Sequence, residues 1–511
     1  MELRKTPSEQ GGVFCVDFNR NGGNFRLDFR ADLGFNEGRE NPKWGRVMRY
    51  YVDSGFGCDQ NDGLTPETAW ETLRNVNATT FLPGDEILLK KGSIFFGQLH
   101  PLGDGTAEKP IRITTYGCGD KPIIDGAGSY GTRDGNFLEG AAVLFYNQNY
   151  WEVDGLDITN YNPYFQQIFE HVLEPYSHSE FRKSAENRYR YGVLIRWHDY
   201  GTGHHIHIKN CHIHDVNAEM SRFCGEGVLV VSTGTIGGTP TNFDDILIED
   251  NIIEDIDRTG ISVWSAWAEG RGIEYHNDPY ADNVTNFYHT TVGPWLGSTN
   301  VVIRGNEIYR TAGDGILVNS TIGTLIEYNY VEHCCYEMRI GPNAAVWPHN
   351  ADGTIMQYNE VCYTHGVQDG QAFDIDISCN DSTIRYNYSH HNEGGFLLLM
   401  YKTTNNDIHH NVSFNDRNGL IWVHENDGGT RIHDNYFDMC AENVEVFRGP
   451  FDSDDWTFEN NAFICRQENR RIDWRPRAKY AGNTYWNIAN LPDDASAKVE
   501  LLDPPDYPHG R

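Results

Sequence analysis

Short strings of alternating apolar and polar residues recur along this chain, each turning at an asparagine. They read "HIHIKNCHIHDV", "DILIEDNIIEDI", "NVVIRGNEIYRT", "GTLIEYNYVEHC", "GTIMQYNEVCYT", "STIRYNYSHHNE", "NDIHHNVSFNDR", "TRIHDNYFDMC" and "WTFENNAFICR". Their asparagines are Asn210, Asn251, Asn306, Asn329, Asn359, Asn387, Asn411, Asn435 and Asn461, at spacings of 41, 55, 23, 30, 28, 24, 24 and 26. The shortest spacings define the unit, and the longer ones carry insertions. A unit of that length, built of short strands with Gly and Asn at its corners, is one coil of a parallel β-helix. Asn is expected at a corner because it tolerates the left-handed backbone region. A leucine-rich repeat has the same period, but its LxxLxL pattern is missing.

A second strand follows in each unit: "GVLIRW", "GVLVVS", "GISVWS", "GILVNS", "EMRIGP", "AFDIDI", "GFLLLM", "GLIWVH" and "NVEVFR". Alternation at period two predicts two inward columns. One is Val193, Val228, Ile261, Ile316, Met338, Phe373, Phe396, Leu420 and Val444. The other is Ile195, Val230, Val263, Val318, Ile340, Ile375, Leu398, Trp422 and Val446. Outward columns hold Leu194, Leu229, Ser262, Leu317, Arg339, Asp374, Leu397, Ile421 and Glu445, then Arg196, Val231, Trp264, Asn319, Gly341, Asp376, Leu399, Val423 and Phe447. So many apolar outward residues predict a covered face, with inserted loops at 160–190 and 266–299. The stretch "TPETAWETLRNVN" predicts a short capped helix, and "DEILLKKG" a strand. The expected organisation is an N-terminal cap over 1–48, the β-helix over 49–467 and a C-terminal cover over 468–511 of one domain.

Charge narrows the partners. Against 41 Lys and Arg stand 73 Asp and Glu, a net −32. Such a surface repels phosphate backbones and anionic lipid, so neither nucleic acid nor membrane is expected as a partner. Aromatic residues make up 13% of the chain, a level that often accompanies carbohydrate binding. The 11 cysteines form no CxxC pair and no zinc-like spacing, and do not suggest a disulfide framework. The opening "MELRKTPSEQGG" has no apolar leader core, so cytoplasmic residence is expected, or secretion if a leader was trimmed. A monomer and a homo-oligomer fit equally.

The chemistry centres on "DGQAFDIDIS". Asp374 and Asp376 stand at i and i+2 on one strand face, about 6.5–7 Å apart. Paired carboxyl groups of that order of spacing serve glycoside hydrolysis. Like charges this close also split their protonation, leaving one acid neutral. Glu393 in "HNEGG", at the corner before the next strand, is the expected third acid. Candidate substrate contacts are Trp347 and His349 in "AAVWPHN", taken as part of an insertion before this coil, with Arg339, Lys402, His424, Glu425, Asn319 and Trp264. Asp314 in "GDG" and Glu226 in "GEG" read as turn residues. No phosphate loop, no GxGxxG opening a helix and no HExxH is present.

The segments "YYVDSGFGCDQNDGLTPETAWETL", "PGDEILLKKG", "GTAEKPIRITTYGCGDKPIIDGAG", "DGQAFDID" and "YNYSHHNEGGFLL" together resemble right-handed parallel β-helix enzymes acting on polysaccharides. The chain looks most like glycoside hydrolase family 141, and more distantly like family 120 β-xylosidases, over roughly 49–490. The resemblance implies a glycosidase acting on a plant or microbial glycan, xylans and fucosides being the suggested substrates. From family 120 it implies Asp376 as nucleophile, with the acid/base position falling near Leu399, which carries no proton. No cofactor is required, and a structural or substrate-bridging calcium is an option. Two other functions stay open: a lyase or epimerase using a cation and a base such as Lys402 or Arg339, and a non-catalytic glycan-binding β-helix.

Overall fold

The computed structural model describes residues 47–132, 137–164, 188–218, 225–271, 291–336, 343–366, 369–424, 428–439, 446–449, 455–467 and 469–505. The expected N-terminal cap lies outside these, apart from its last two residues. Three long, almost wholly parallel sheets run side by side. Among the described residues they hold 15, 11 and 14 strands. Each coil contributes one strand to each sheet, as in Thr383–Arg385, Tyr388–His390 and Gly395–Leu399. Strands pair with the equivalent strand one coil away, so the backbone hydrogen bonds run along the stack.

The asparagines form a ladder inside one corner. Asn359 Nδ2 donates to Asn387 Oδ1 at 3.0 Å and to the Ile326 carbonyl at 2.9 Å, while its own Oδ1 accepts from Asn329 Nδ2 at 2.9 Å. The same bonds link Asn251, Asn306, Asn329, Asn359, Asn387, Asn411, Asn435, Asn461 and Asn483. The ladder asparagines are buried, and the left-handed residue is the one before each: φ is 54° at Tyr358, 55° at Tyr386 and 54° at His410. Amide satisfaction, rather than backbone tolerance, therefore selects Asn at the ladder position. At the first unit the alignment moves by one: Asn210 takes the left-handed place (φ 52°), and Cys211 occupies the ladder position, its N–H donating to Asn251 Oδ1 at 2.9 Å.

The core follows the alternation, with two corrections. The inward column through the second sheet is Val193, Val228, Ile261, Ile316, Val346, Phe373, Leu397, Ile421 and Phe447. Strand Val346–His349 supplies the coil before Asp374, so "AAVWPHN" belongs to the coil itself and not to an insertion. The segment "EMRIGP", with Arg339, lies outside the described residues. From Gly395 onward the expected register slips by one, putting Leu397 and Leu399 inside and Leu398 outside. Gly395 has φ 114°, and a Cβ there would stand 1.8 Å from the Gly419 carbonyl oxygen. This backbone crossing moves the strand entry by one residue, which no alternation pattern records.

At the N-terminal end the expected helix splits in two. Thr65 caps a 3-10 turn Pro66–Thr68 and Thr72 caps the helix Leu73–Ala78, with buried Trp70 bridging to Val52 between them. Strand Glu86–Lys90 forms as expected. At the far end, strands Lys479–Ala481 and Thr484–Trp486 extend the first and third sheets beyond residue 467. The 266–299 insertion carries its own strand pair, Trp267–Glu269 with Gly293–Pro294. Seven described cysteines are free thiols and Cys118 is disulfide-bonded. Among the described residues, no helix is long and apolar enough to cross a membrane.

Candidate active site

The outward face of the 11-stranded sheet changes character along the stack. Its early half is apolar and buried: Leu144, Leu194, Leu229, Val231, Trp264 and Leu317 pack as one cluster with Trp347. Polar groups then appear where two columns pass through the strand Gln371–Ile375. One column runs Trp347, Asp374, Leu398, Trp422, Arg448. The other runs Asn319, His349, Asp376, Met400, His424, set by the bonds Asp376 N–H to the Pro348 carbonyl, Met400 N–H to Ile375 and His424 N–H to Leu399. Leu399 itself is inward and fully buried, so the position that the family 120 resemblance gave to an acid belongs to the core.

Both expected acids point outward, beside one another. Asp374 is only 5% exposed, and its Oδ1 has no hydrogen-bond partner among the described residues. Asp376 is partly exposed, and its Oδ1 accepts the Ile377 N–H at 2.7 Å. Two further acids join them. Asp369 sits on the turn leading into the strand, where it is also partly exposed, and Asp314 lies beneath the floor, fully buried. Asp314 ion-pairs with buried Arg258 at 3.2 Å and accepts the Trp347 indole N–H at 3.0 Å.

Burial and mutual repulsion hold protons on this cluster. Burial, with the charge of Asp376 next, pushes Asp369 up to about 7. Burial raises Asp376 to about 7 as well, opposed by the Ile377 N–H. Asp374 is held well above the ordinary carboxylate range by burial, then by the charges of Asp376, Asp369 and Asp314. The charge of Asp376 raises both Asp369 and Asp374, while neither of theirs raises Asp376, so Asp376 ionises first and its charge keeps the others protonated.

The remaining candidates divide. Trp347 and His349 are buried beside the acids, His349 Nδ1 bonded to the Asn319 amide at 2.5 Å and its ring stacked on Trp264 at 5.6 Å. These four form one packed wall. His424 is exposed at the strand exit beside Trp422, their ring centres 6.4 Å apart. Lys402 is exposed in a left-handed corner (φ 60°), 5.8 Å from the centre of the Tyr401 ring. Glu393 accepts the Gly366 N–H at 3.0 Å and lies 3.9 Å from His365, so it steadies the turn that carries Asp369. Glu425 and Arg339 lie outside the described residues.

Three contributors are not among the expected ones. Asp369, in "QDGQ", looks like an ordinary Asp-Gly turn, and Asp314 likewise. Arg448 stands two coils past the acid-bearing strand's neighbour, its guanidinium 4.2 Å from the centre of Trp422 and donating to the Asn418 carbonyl at 2.7 Å. Gly419, with φ 121°, makes room for it, since a Cβ there would lie 2.4 Å from Arg448 Cδ. Beside it opens a cavity of about 400 Å³ lined with Arg470, Arg471, Asp473 and Arg475. The insertion is clamped to the same end of the strands. Arg271 donates to Asp352 at 2.5 and 2.7 Å and to the Ser378 carbonyl at 2.7 Å, just past His349 and Asp376.

A family profile described as the right-handed β-helix region matches residues 191–346 and 295–437. A curated lacto-N-biosidase of Bifidobacterium longum is 28% identical over 89% of this chain, which spans only 31% of that relative's length. Two crystal structures of a GH136 lacto-N-biosidase from Eubacterium ramulus are similar. One is 29% identical with a TM-score of 0.65, covering 81% of this chain and 67% of that one. The other is 27% identical with a TM-score of 0.65, covering 89% and 68%. These similarities run to GH136, where the sequence motifs alone suggested families 141 and 120. The chain is a right-handed parallel β-helix protein, similar over most of its length to lacto-N-biosidases of GH136.

Proposed function

We propose that this chain is a glycoside hydrolase of the GH136 type, with lacto-N-biosides as the first substrates to test, ahead of xylans and fucosides. The observation that carries the reading is the acid cluster around Asp376, on the outward face of the 11-stranded sheet in a chain similar to a lacto-N-biosidase. A glycosidase needs one carboxyl that holds a proton for the leaving oxygen and one that is ionised. Asp376, stabilised by the Ile377 N–H, is the ionised member, acting as nucleophile or base. Asp369, which faces that charge, is the proton donor. Asp374, buried between the wall and the floor, stays neutral and orients Asp376. The Trp422–Arg448 stack and the neighbouring cavity bind the sugar on one side.

No cofactor enters this scheme. The lyase alternative asks for a base such as Lys402, which sits in an exposed corner, whereas the acid cluster sets an ionised carboxyl beside protonated ones. Incubation with lacto-N-biosides and a wider glycan library, with product analysis by mass spectrometry, tests the proposal. Hydrolysis with incorporation of one solvent oxygen is expected. An unsaturated product would select a lyase, and binding without product a glycan-binding protein.

A further inference from the structure

The strand His212–Val216 lies on the 14-stranded sheet, whereas the acid cluster lies on the 11-stranded one. It presents His212 and His214 on its outer face, while Ile213 and Val216 are buried inside. Neighbouring coils supply Asp157 on one side and Glu254 on the other. His212 Nδ1 lies 3.1 Å from Asp157 Oδ2, and His214 Nε2 lies 2.9 Å from Asp157 Oδ1. The opposite nitrogens are also engaged: His212 Nε2 with Glu254 at 2.9 Å and His214 Nδ1 with Asp215 at 2.7 Å. The two rings stack 4.3 Å apart at 21°.

This arrangement has a donor deficit. A neutral imidazole donates one hydrogen bond and accepts one. Each ring here faces two carboxylates, which only accept. When each ring is neutral and gives its N–H to the outer partner, Glu254 or Asp215, two nitrogen lone pairs and the Asp157 carboxylate turn toward one another. A second proton on each ring balances these carboxylates in the metal-free chain, and a divalent cation held by the same three side chains takes the place of those protons. The outer carboxylates then play the part usual around a metal-bound histidine, fixing the tautomer and orienting the ring.

We propose that Asp157, His212 and His214 form a binding site for a divalent transition cation of the zinc class, with Glu254 and Asp215 as its outer partners. Zinc takes such N and O ligands at about 2.0–2.2 Å, which places neighbouring ligand atoms about 3.3 Å apart. The 3.1 and 2.9 Å separations run to the two different oxygens of Asp157, and one ligand atom from each of the three residues lies within 4.8 Å of the others, so small side-chain rotations bring them to that spacing. The side chains are 19–27% exposed, so solvent reaches the site and fills its remaining coordination. Among the described residues, Asp157 ion-pairs only with these two histidines. The similar group Glu152, His205 and His207 differs: Arg112 at 3.0 Å and Lys209 at 3.8 Å already supply cations to Glu152. Arg310, 2.6 Å from Glu254, holds that outer carboxylate in place.

The test uses the untagged full chain, stripped with chelator and titrated with zinc chloride by calorimetry, with cobalt(II) absorption as a second probe. One zinc equivalent and a tetrahedral-type cobalt spectrum are expected, both lost in His214→Gln and Asp157→Asn. Asp215→Asn, on the outer rim, should weaken zinc on the order of 10-fold while leaving the site in place. The graded loss separates a lost ligand from a misfolded chain, and melting of the stripped variants checks the fold. Absence of zinc binding in the parent chain, or unchanged affinity in both His214→Gln and Asp157→Asn, overturns the proposal.

Discussion

Ile377 donates its backbone N–H to Asp376 Oδ1 at 2.7 Å, just past the end of the strand Gln371–Ile375. The bond favours the ionised form of Asp376, as a backbone N–H of Asn343 does for Asp369, and the order of titration follows from the charge of Asp376, which raises Asp369 and Asp374 without being raised by them. With Asp376 ionised first, its charge falls on Asp369 and Asp374, which keep their protons.

That order predicts a bell-shaped pH profile. Activity falls on the acid side as Asp376 is protonated and on the alkaline side as Asp369 loses its proton. Both groups lie near 7, so the optimum in kcat/KM should be narrow and close to neutral. Asp369→Asn should flatten the alkaline limb and slow turnover on the order of 10³-fold. A substrate with a good aryl leaving group should recover much of that loss, because it needs little proton donation. An unchanged alkaline limb in this variant would remove Asp369 from the acid role.

Asp374 makes a separate prediction about stability. Its folded form holds a proton well above the ordinary 3.8, while the unfolded chain releases it near that value. Above pH 4, then, folding takes up a proton, and stability falls as pH rises, by up to about 1.4 kcal/mol per unit. Asn needs no proton. The melting temperature of Asp374→Asn should therefore exceed that of the parent, with a gap that widens from pH 5 to pH 8. A gap that is constant or shrinks with pH would contradict the assignment.

The ladder predicts a large cost at its middle. Asn359→Ala leaves the buried Asn329 N–H and the Ile326 carbonyl without their side-chain partner. Unpaired buried groups of this kind cost about 1–3 kcal/mol each, so a loss of about 3–5 kcal/mol is expected by calorimetry or denaturant titration. At the ladder's end, Cys211→Asn places an amide beside Asn251, and should stabilise by about 1 kcal/mol.

The Arg271 clamp predicts a positioning effect. Arg271→Lys keeps the charge but loses the two-pronged contact to Asp352 and the bond to Ser378. Activity should fall on the order of 10-fold, with the pH limbs unmoved. Displaced limbs would mean that Arg271 acts on the acids electrically instead.

Much of the fold was legible because alternation and a recurring Asn report the coil directly. Val193, Val228, Ile261 and Ile316 stand in the expected column. The column failed at two places for identifiable reasons. Pro348 and His349 disguised a coil strand as an insertion, and Gly395 slipped the entry of the next strand by one residue. The corner chemistry was also misread: Asn tolerates left-handed backbone, but here it is a neighbour such as Tyr358 that adopts it. In the site, the two acids of "FDID" were legible because charge interrupts an apolar run. Asp369 and Asp314 were not, since an Asp beside Gly is what any turn shows, and only the stacking of coils brings their charges to bear on Asp374. Glu393 matched the acid pattern but is held by the Gly366 N–H.

The role proposed for Asp376 is the attack, direct or through water, that breaks the glycosidic bond. Its most direct test is release of disaccharide from a lacto-N-bioside by the parent chain and by Asp376→Asn at matched fold content. Product from the parent and a loss on the order of 10³-fold or more in the variant are expected, with no recovery from a better leaving group. Equal product release by both chains would contradict it.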